Sequence, residues 1–255
     1  MANRQVKKGK KISLDYSSSI PVYLQIAETI KRRILSGQYN PGKQIFTSEE
    51  LEREFQTSNI TIRNAMEKLK NDGLVERRRG LGTTVSKKKP EPLFFDLADG
   101  FKNGKDAVMN FNTKVKVLEI TKVISTEHMQ NLLSLSTEQE IWRVKRIRVY
   151  KNLPVSFRTY YANPDYCAEI SVNEAEKHDI LGEIEKTNGI KIHKVIKTGR
   201  MSVADLDISS VLKIPFGFPV FFSESIYYAV SGEALMFDQI YFRGDMFVFK
   251  SVRCF

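Results

Sequence analysis

The feature that most constrains this chain is a dense run of short elements between Thr47 and Val85. Thr47-x-x-Glu50 is a capping box, in which the hydroxyl accepts a backbone N–H three residues on while the glutamate reaches back. A helix therefore starts there, about two turns long, with Leu51 and Phe55 facing inward. After the break Gln56-Thr57, Ser58 is a good N-cap for a further helix whose stripe is Ile62, Ala65, Met66 and Leu69 and whose stop is Gly73. Leu74-Val75-Glu76 then reads as a strand, Arg77-Arg78-Arg79-Gly80-Leu81-Gly82 as a tight basic turn, and Thr83-Thr84-Val85 as a return strand. Upstream, Tyr23, Ile26, Ala27, Ile30 and Ile34 recur at helical spacing, with Glu28, Lys31, Arg32 and Arg33 on other faces. Gly37 ends that helix and Pro41-Gly42 turns the chain behind it.

Helix, helix, hairpin is the order of a winged helix-turn-helix. The outward face of its last helix carries Asn59, Thr61, Arg63 and Asn64 near the start, which supply amide and guanidinium groups for base edges and a hydroxyl for phosphate. In the wing, glycines remove the Cβ that would keep a backbone from a phosphate, and the arginines add charge-assisted contacts. A polar helix face or a basic turn alone is more often merely solvated. Charge distribution shifts the balance: residues 1–89 hold 19 Lys and Arg against 9 Asp and Glu, whereas residues 90–255 are even at 21 each. The net +10 thus lies wholly in the segment that carries the candidate reading helix, which points to duplex DNA. The expected DNA contacts are Thr47, Ser48, Ser58, Asn59, Thr61, Arg63, Asn64, Arg78, Arg79, Gly80, Gly82 and Thr83. Residues 1–17 read as a basic, disordered arm, rich in lysine at positions 7, 8, 10 and 11.

Other classes find little support. Cys167 and Cys254 are far apart and form no C-x-x-C pair, so neither a disulfide framework nor a zinc site is indicated, and a reducing cytoplasm is the expected home. No apolar run approaches the roughly 18 residues that span a bilayer. His128, His178 and His193 are scattered; H-E-x-x-H, G-x-S-x-G and a P-loop are absent. Gly80-x-Gly82 lacks a third glycine and opens a strand, so no dinucleotide site follows. The chain is expected to be no enzyme and to need no cofactor.

The first domain resembles the GntR family of bacterial regulators. Pro21-Val22-Tyr23-Leu24-Gln25-Ile26, Ile34-Leu35-Ser36-Gly37, Pro41-Gly42, Thr61-Ile62-Arg63, Leu69, Asp72-Gly73-Leu74-Val75 and Gly80-Leu81-Gly82-Thr83 fall at family positions in order. The resemblance implies a homodimer on a short palindromic operator, with the recognition helices in the major groove and the wings by the minor groove. Two departures stand out. Phe46-Thr47-Ser48-Glu49 replaces the usual Pro-Ser-Glu-Arg, and Ser58-Asn59-Ile60-Thr61-Ile62-Arg63 replaces Ser-Arg-Thr-Thr-Val-Arg. Only Arg63 keeps its place among the arginines commonly used on DNA, and Asn59 suits adenine, so the operator is expected to depart from the family's guanine contacts.

The winged unit is expected over residues 18–86, a charged, proline-bearing linker over 87–92, and a second domain over 93–255. Runs such as 115–124, 141–150, 154–161, 190–201, 219–228, 234–243 and 246–252 read as strands, and stretches near 128–135, 175–186 and 203–212 as helices. The fold class is therefore α+β, a winged helix-turn-helix joined to an α+β domain with a mainly antiparallel sheet. This order is similar to the UTRA effector domain of the HutC subfamily, whose fold resembles chorismate lyase. Supporting residues are Leu132-Leu133, Arg146-Ile147-Arg148 before Pro154, Leu212, Gly217, Pro219-Val220 and Arg243-Gly244-Asp245. The resemblance implies a repressor whose DNA affinity responds to a small anionic or polar metabolite, with Arg146 and Arg148 on the anion. It also places Arg158, Asp179, Met236 and Phe242 in the pocket, where sugar-phosphate binders have two glutamates, hydroxyls and a tyrosine. These changes lead us to expect a ligand other than an amino-sugar phosphate, or a filled pocket. The alternative is a DNA-binding dimer whose second domain only dimerises.

Overall fold

The computed structural model describes residues 12–45, 47–78, 82–87, 93–96, 108–109, 113–166, 171–177, 180, 182 and 189–250. They fall into two compact units, Met1–Glu91 and Pro92–Phe255.

In the first unit, α1 (Val22–Leu35), α2 (Ser48–Phe55) and α3 (Asn59–Asn71) precede the antiparallel pair β1 (Val75–Arg78) and β2 (Gly82–Val85). The helical stripes close one core: Ile26, Ile30 and Ile34 of α1 meet Leu51, Phe55, Ile62, Ala65 and Leu69, with Ile45, Leu74 and Val85 beneath the hairpin. Burying an aliphatic side chain contributes about 1.5–3 kcal/mol, so this shared core is what holds three short helices that would each be marginal alone. The expected capping box at Thr47 forms, with Glu50 N donating to Thr47 Oγ1 at 3.3 Å and Thr47 N donating to Glu50 Oε2 at 2.7 Å. Gly37 and Gly73 take the left-handed φ values, +78° and +71°, that let the chain leave α1 and α3.

Two expectations are corrected here. The disordered arm does not reach residue 17. Ile12 and Leu14 pack on the core, Ile12 N donates to Glu54 O, and Asp15 N donates to Gln25 Oε1, because this stretch holds apolar side chains and local turn formers. Residues 1–11 lie outside the described residues. Arg33, expected on a polar face, is 6 % exposed, because a bidentate pair with Glu54 (2.5 and 3.2 Å) and a bond to the Tyr39 hydroxyl satisfy its guanidinium.

The second unit is built on a six-stranded antiparallel sheet in the order β5-β6-β7-β10-β9-β8, comprising β5 (Lys114–Ile124), β6 (Glu140–Tyr150), β7 (Leu153–Ala162), β8 (Ile192–Val203), β9 (Pro219–Ala229) and β10 (Ala234–Arg243). On one face α4 (Glu127–Leu133) covers Phe237 and α6 (Leu206–Leu212) covers Val220, Phe157 and Tyr241. On the other, α5 (Val172–Lys177) sets Ala175 against Tyr160, Ala162 and Tyr227. A small sheet of β11 (Phe247–Lys250), β3 (Leu93–Asp96) and β4 (Val108–Met109) packs Leu93 and Phe247 against Ile240 and Phe242. Strands β3 and β4 are not among the expected ones, and β11 runs parallel to β3, the one parallel pairing among the described strands. Val203, expected in a helix, ends β8; α6 begins only after Asp205, whose carboxylate accepts from Ile208 N at 2.8 Å.

Candidate functional site

Most of the expected DNA residues stand at exposed positions of the first unit. Thr47 and Ser48 at the start of α2, and Ser58, Asn59, Arg63 and Asn64 on α3, are exposed, while Thr61 is half-buried. Several are already engaged. Thr47 Oγ1 accepts the capping bond, Ser58 and Thr61 share a hydroxyl–hydroxyl bond at 2.9 Å, and Asn59 Nδ2 donates to Glu52 Oε1 at 2.5 Å. Ser58 therefore occupies the N-cap position of α3 without a side-chain capping bond. Asn59 can read adenine through paired bonds only if Glu52 releases it. No hydrogen bond from Arg63 or Asn64 side chains is found among the described residues. In the wing, Gly82 has φ +72°, and a Cβ there would stand 3.1 Å from Gln44 Nε2. Thr83 O accepts from Ile45 N at 2.9 Å, which fastens β2 to the turn after α1. Arg79 and Gly80 lie outside the described residues. The same holds for the Arg78 side chain, although its backbone ends β1.

The second candidate site is the sheet face between α5 and the small sheet. Strand register places Met236, Asp238, Ile240 and Phe242 of β10 beside Ala162, Tyr160, Arg158 and Ser156 of β7. Next come Trp142, Val144, Arg146 and Arg148 of β6, and on the other flank Tyr227, Ser225, Ser223 and Phe221 of β9, with Lys197 of β8 opposite Ser225. Apolar side chains fill the two ends of this face, and its middle is polar. Arg158 Nη2 donates to Asp238 Oδ2 at 2.6 Å and to the Tyr227 hydroxyl at 2.9 Å, and that hydroxyl donates to the same Oδ2 at 2.6 Å. Arg146 Nη1 donates to Ala175 O at 2.6 Å and Nη2 to the Tyr160 hydroxyl; both Arg146 and Arg158 lie over the Tyr160 ring, at 4.6 and 4.4 Å. Arg148 Nη1 donates to Thr113 Oγ1 at 2.7 Å. Asp238 is fully buried, and among the described residues its Oδ1 and Ser225 Oγ have no hydrogen-bond partner.

Electrostatics follow from this packing. Burial opposes the charge on Arg158, but Asp238 outweighs it and raises the guanidinium pKa still further above its ordinary range. Burial and then the Asp238 charge push the Tyr227 phenol well up. Burial, reinforced by the Arg158 charge and only partly offset by Asp238, brings Lys197 down to about 7.

Of the expected pocket residues, Arg146, Arg148 and Arg158 do share one face. Met236 and Phe242 share it too, but as core: Met236 is 0 % exposed beside Leu235 and Tyr227, and Phe242 is 1 % exposed among Phe221, Phe247 and Phe249. Asp179 lies outside the described residues. Among the described residues the carboxylate facing Arg158 is Asp238, which sequence reasoning missed. Its signal was an acid at an inward position of Ala234-Leu235-Met236-Phe237-Asp238, an otherwise apolar strand.

A winged head followed by a sheet domain of this layout has relatives in both parts. Residues 22–85 match the model of the bacterial regulatory proteins of the gntR family, and residues 109–248, more than half of the chain, match that of the UTRA domain. This chain is a GntR-family regulator with a UTRA domain. It is 26 % identical over 238 residues to the HTH-type transcriptional repressor NagR of Bacillus subtilis, covering 93 % of this chain and 97 % of that one. It is 24 % identical over 240 residues to the mannosyl-D-glycerate transport/metabolism system repressor MngR of Escherichia coli, covering 91 % and 95 %. The crystal structure of the possible transcriptional regulator YydK from Bacillus subtilis shares its fold, with a TM-score of 0.56 at 22 % identity over 92 % of this chain and all of that one. No helix among the described residues is long and apolar enough to cross a membrane.

Proposed function

We propose that this regulator is a sequence-specific transcription repressor, a homodimer whose operator affinity is set by a small cytoplasmic metabolite held in the UTRA domain. The observation that carries the reading is the exposed N-terminal face of α3, followed by a two-stranded hairpin, within residues 1–89, which hold the whole net +10. Two recognition helices and two wings, related by the dimer axis, engage half-sites of a palindrome. NagR and MngR, both named as repressors, support the sign of regulation. We place the head at residues 18–86, the linker at 87–92 and the effector domain from 93 onward.

Support for a ligand comes from the polar middle of the sheet face. Arg146 and Arg148 project the same way from β6, as a pair of guanidiniums facing one anionic group would. Asp238 Oδ1 and Ser225 Oγ, buried and unpartnered, stand where a ligand hydroxyl or amine would bond to them. Binding that alters the cost of placing both heads at once would change operator affinity. One observation favours a second reading, a domain that only dimerises: Arg158 is already neutralised by Asp238, and Met236 and Phe242 fill the ends of the face.

The test pairs selection from randomised duplex DNA with thermal melts of the protein against a metabolite panel. An enriched palindrome, plus a compound that raises the melting temperature and releases the selected DNA, is the expected result. A palindrome with no responsive compound would leave the dimerising reading, and no enrichment would sink both.

A further inference from the structure

We propose that Ile60 reads the C5-methyl group of a thymine in each operator half-site. The proposal rests on the DNA-binding reading above and adds a specificity-determining residue to it. Helix α3 turns Ile62, Ala65 and Leu69 into the core of the head, and its opposite face exposes Ile60, Arg63, Asn64 and Glu67. Those four stand three and four residues apart, so they form one continuous strip on the helix surface. Ile60, at the second position of the helix, is 59 % exposed and takes no part in the core cluster. Its β-branched side chain brings no gain in helix propensity either. An isolated exposed aliphatic is ordinary, and Ile20 and Leu35 are others in this unit. What sets Ile60 apart is its place between the polar residues expected to face the bases.

Its neighbours sharpen the point. Asn59 is tied to Glu52, and Ser58 to Thr61, which removes them from easy service as base readers and leaves Ile60, Arg63 and Asn64 on the open strip. The Glu52–Asn59 bond also joins α2 to the start of α3, so the backbone carrying Ile60 is held in place. An isoleucine makes no hydrogen bond, so any discrimination by it is apolar. Thymine alone offers a methyl group in the major groove, whereas cytosine at that place would set its amino group against hydrocarbon with no acceptor.

The experiment uses the full-length protein and an operator from the randomised selection, with each thymine of a half-site replaced in turn by deoxyuridine, which lacks only the methyl group. At one position the wild type should lose about fourfold in affinity per half-site, the worth of one buried methyl-sized group. Ile60→Ala should bind the unsubstituted operator more weakly, keep the wild-type melting temperature, and be indifferent to deoxyuridine at that same position. Wild-type indifference at every position overturns the proposal while leaving the regulator intact, as does an Ile60→Ala profile that matches the wild type. A selection that enriches no sequence would overturn the DNA reading itself, and the proposal with it.

Discussion

Replacing Arg158 with methionine removes the cation that, among the described residues, hydrogen-bonds to Asp238, a carboxylate with no exposure, and leaves the Tyr227 hydroxyl as its described hydrogen-bond partner. Taking one partner from a buried pair costs about 3–5 kcal/mol, because the remaining charge stays desolvated. For a domain of this size each kcal/mol moves the melting temperature by about 2–4 °C, so a fall of about 6–20 °C is expected. The chain's one tryptophan, Trp142, sits on β6 against the same core, so its fluorescence during urea or thermal unfolding reports this unit and not the head. Adding Asp238→Leu to Arg158→Met replaces the whole pair with hydrocarbon, which is often neutral. It should recover most of the loss, short of the ~1–3 kcal/mol for a Tyr227 hydroxyl that then lacks its acceptor. A single-variant loss under about 1 kcal/mol, or a double variant no more stable than the single one, would refute this account of the pocket. The pair of variants also gives ligand studies a partner for Arg158→Met in which the carboxylate is not stranded.

Lys197→Met should stabilise the domain at pH 7 and below, with the gain fading as pH rises toward 10.5. In the folded state Lys197 titrates at about 7 and in the unfolded state at its usual 10.5, so between those values the unfolded chain binds more protons and wild-type stability rises with pH. The gain is at most about 5 kcal/mol, and urea midpoints at pH 7 and pH 10 read by Trp142 would measure it; a gain equal at both would refute the shift. Arg63→Ala should weaken operator binding by ~1–3 kcal/mol with an unchanged melting temperature, measurable by fluorescence anisotropy. Affinity should fall ~10³-fold or more between 50 and 200 mM salt if ~6 or more phosphates are contacted, which a salt titration checks. Glu54→Ala should destabilise the head by about 3–5 kcal/mol by stranding Arg33, and far-UV circular dichroism would follow its helices.

The head was the more legible half. Its helices carry strict apolar periodicity, and its boundaries are marked by residues whose chemistry is local: the Thr47–Glu50 box, Gly37 and Gly73. Arg33 escaped that logic because its partners, Glu54 and Tyr39, come from outside its own helix, and no local pattern announces a buried ion pair. The main strands of the second domain were readable from alternation and turn residues. Strands β3 and β4 were not, since each is short: β3 depends on pairing with the distant β11, and β4 pairs in turn with β3. The polar sheet face was the least legible. Arg146, Arg148 and Arg158 could be placed by resemblance, but Asp238, Tyr160, Tyr227 and Lys197 join them only through cross-strand register between β6, β7, β8, β9 and β10. Such neighbours are set by tertiary pairing and leave no mark in sequence spacing.

The proposed repressor role requires that this protein read DNA sequence. The most direct test measures its affinity, at near-physiological salt, for the selected palindrome and for a scrambled duplex of the same length and composition. A preference of about 10³-fold or more for the palindrome is expected. Equal affinity for the two, with tight binding only at low salt, would contradict it.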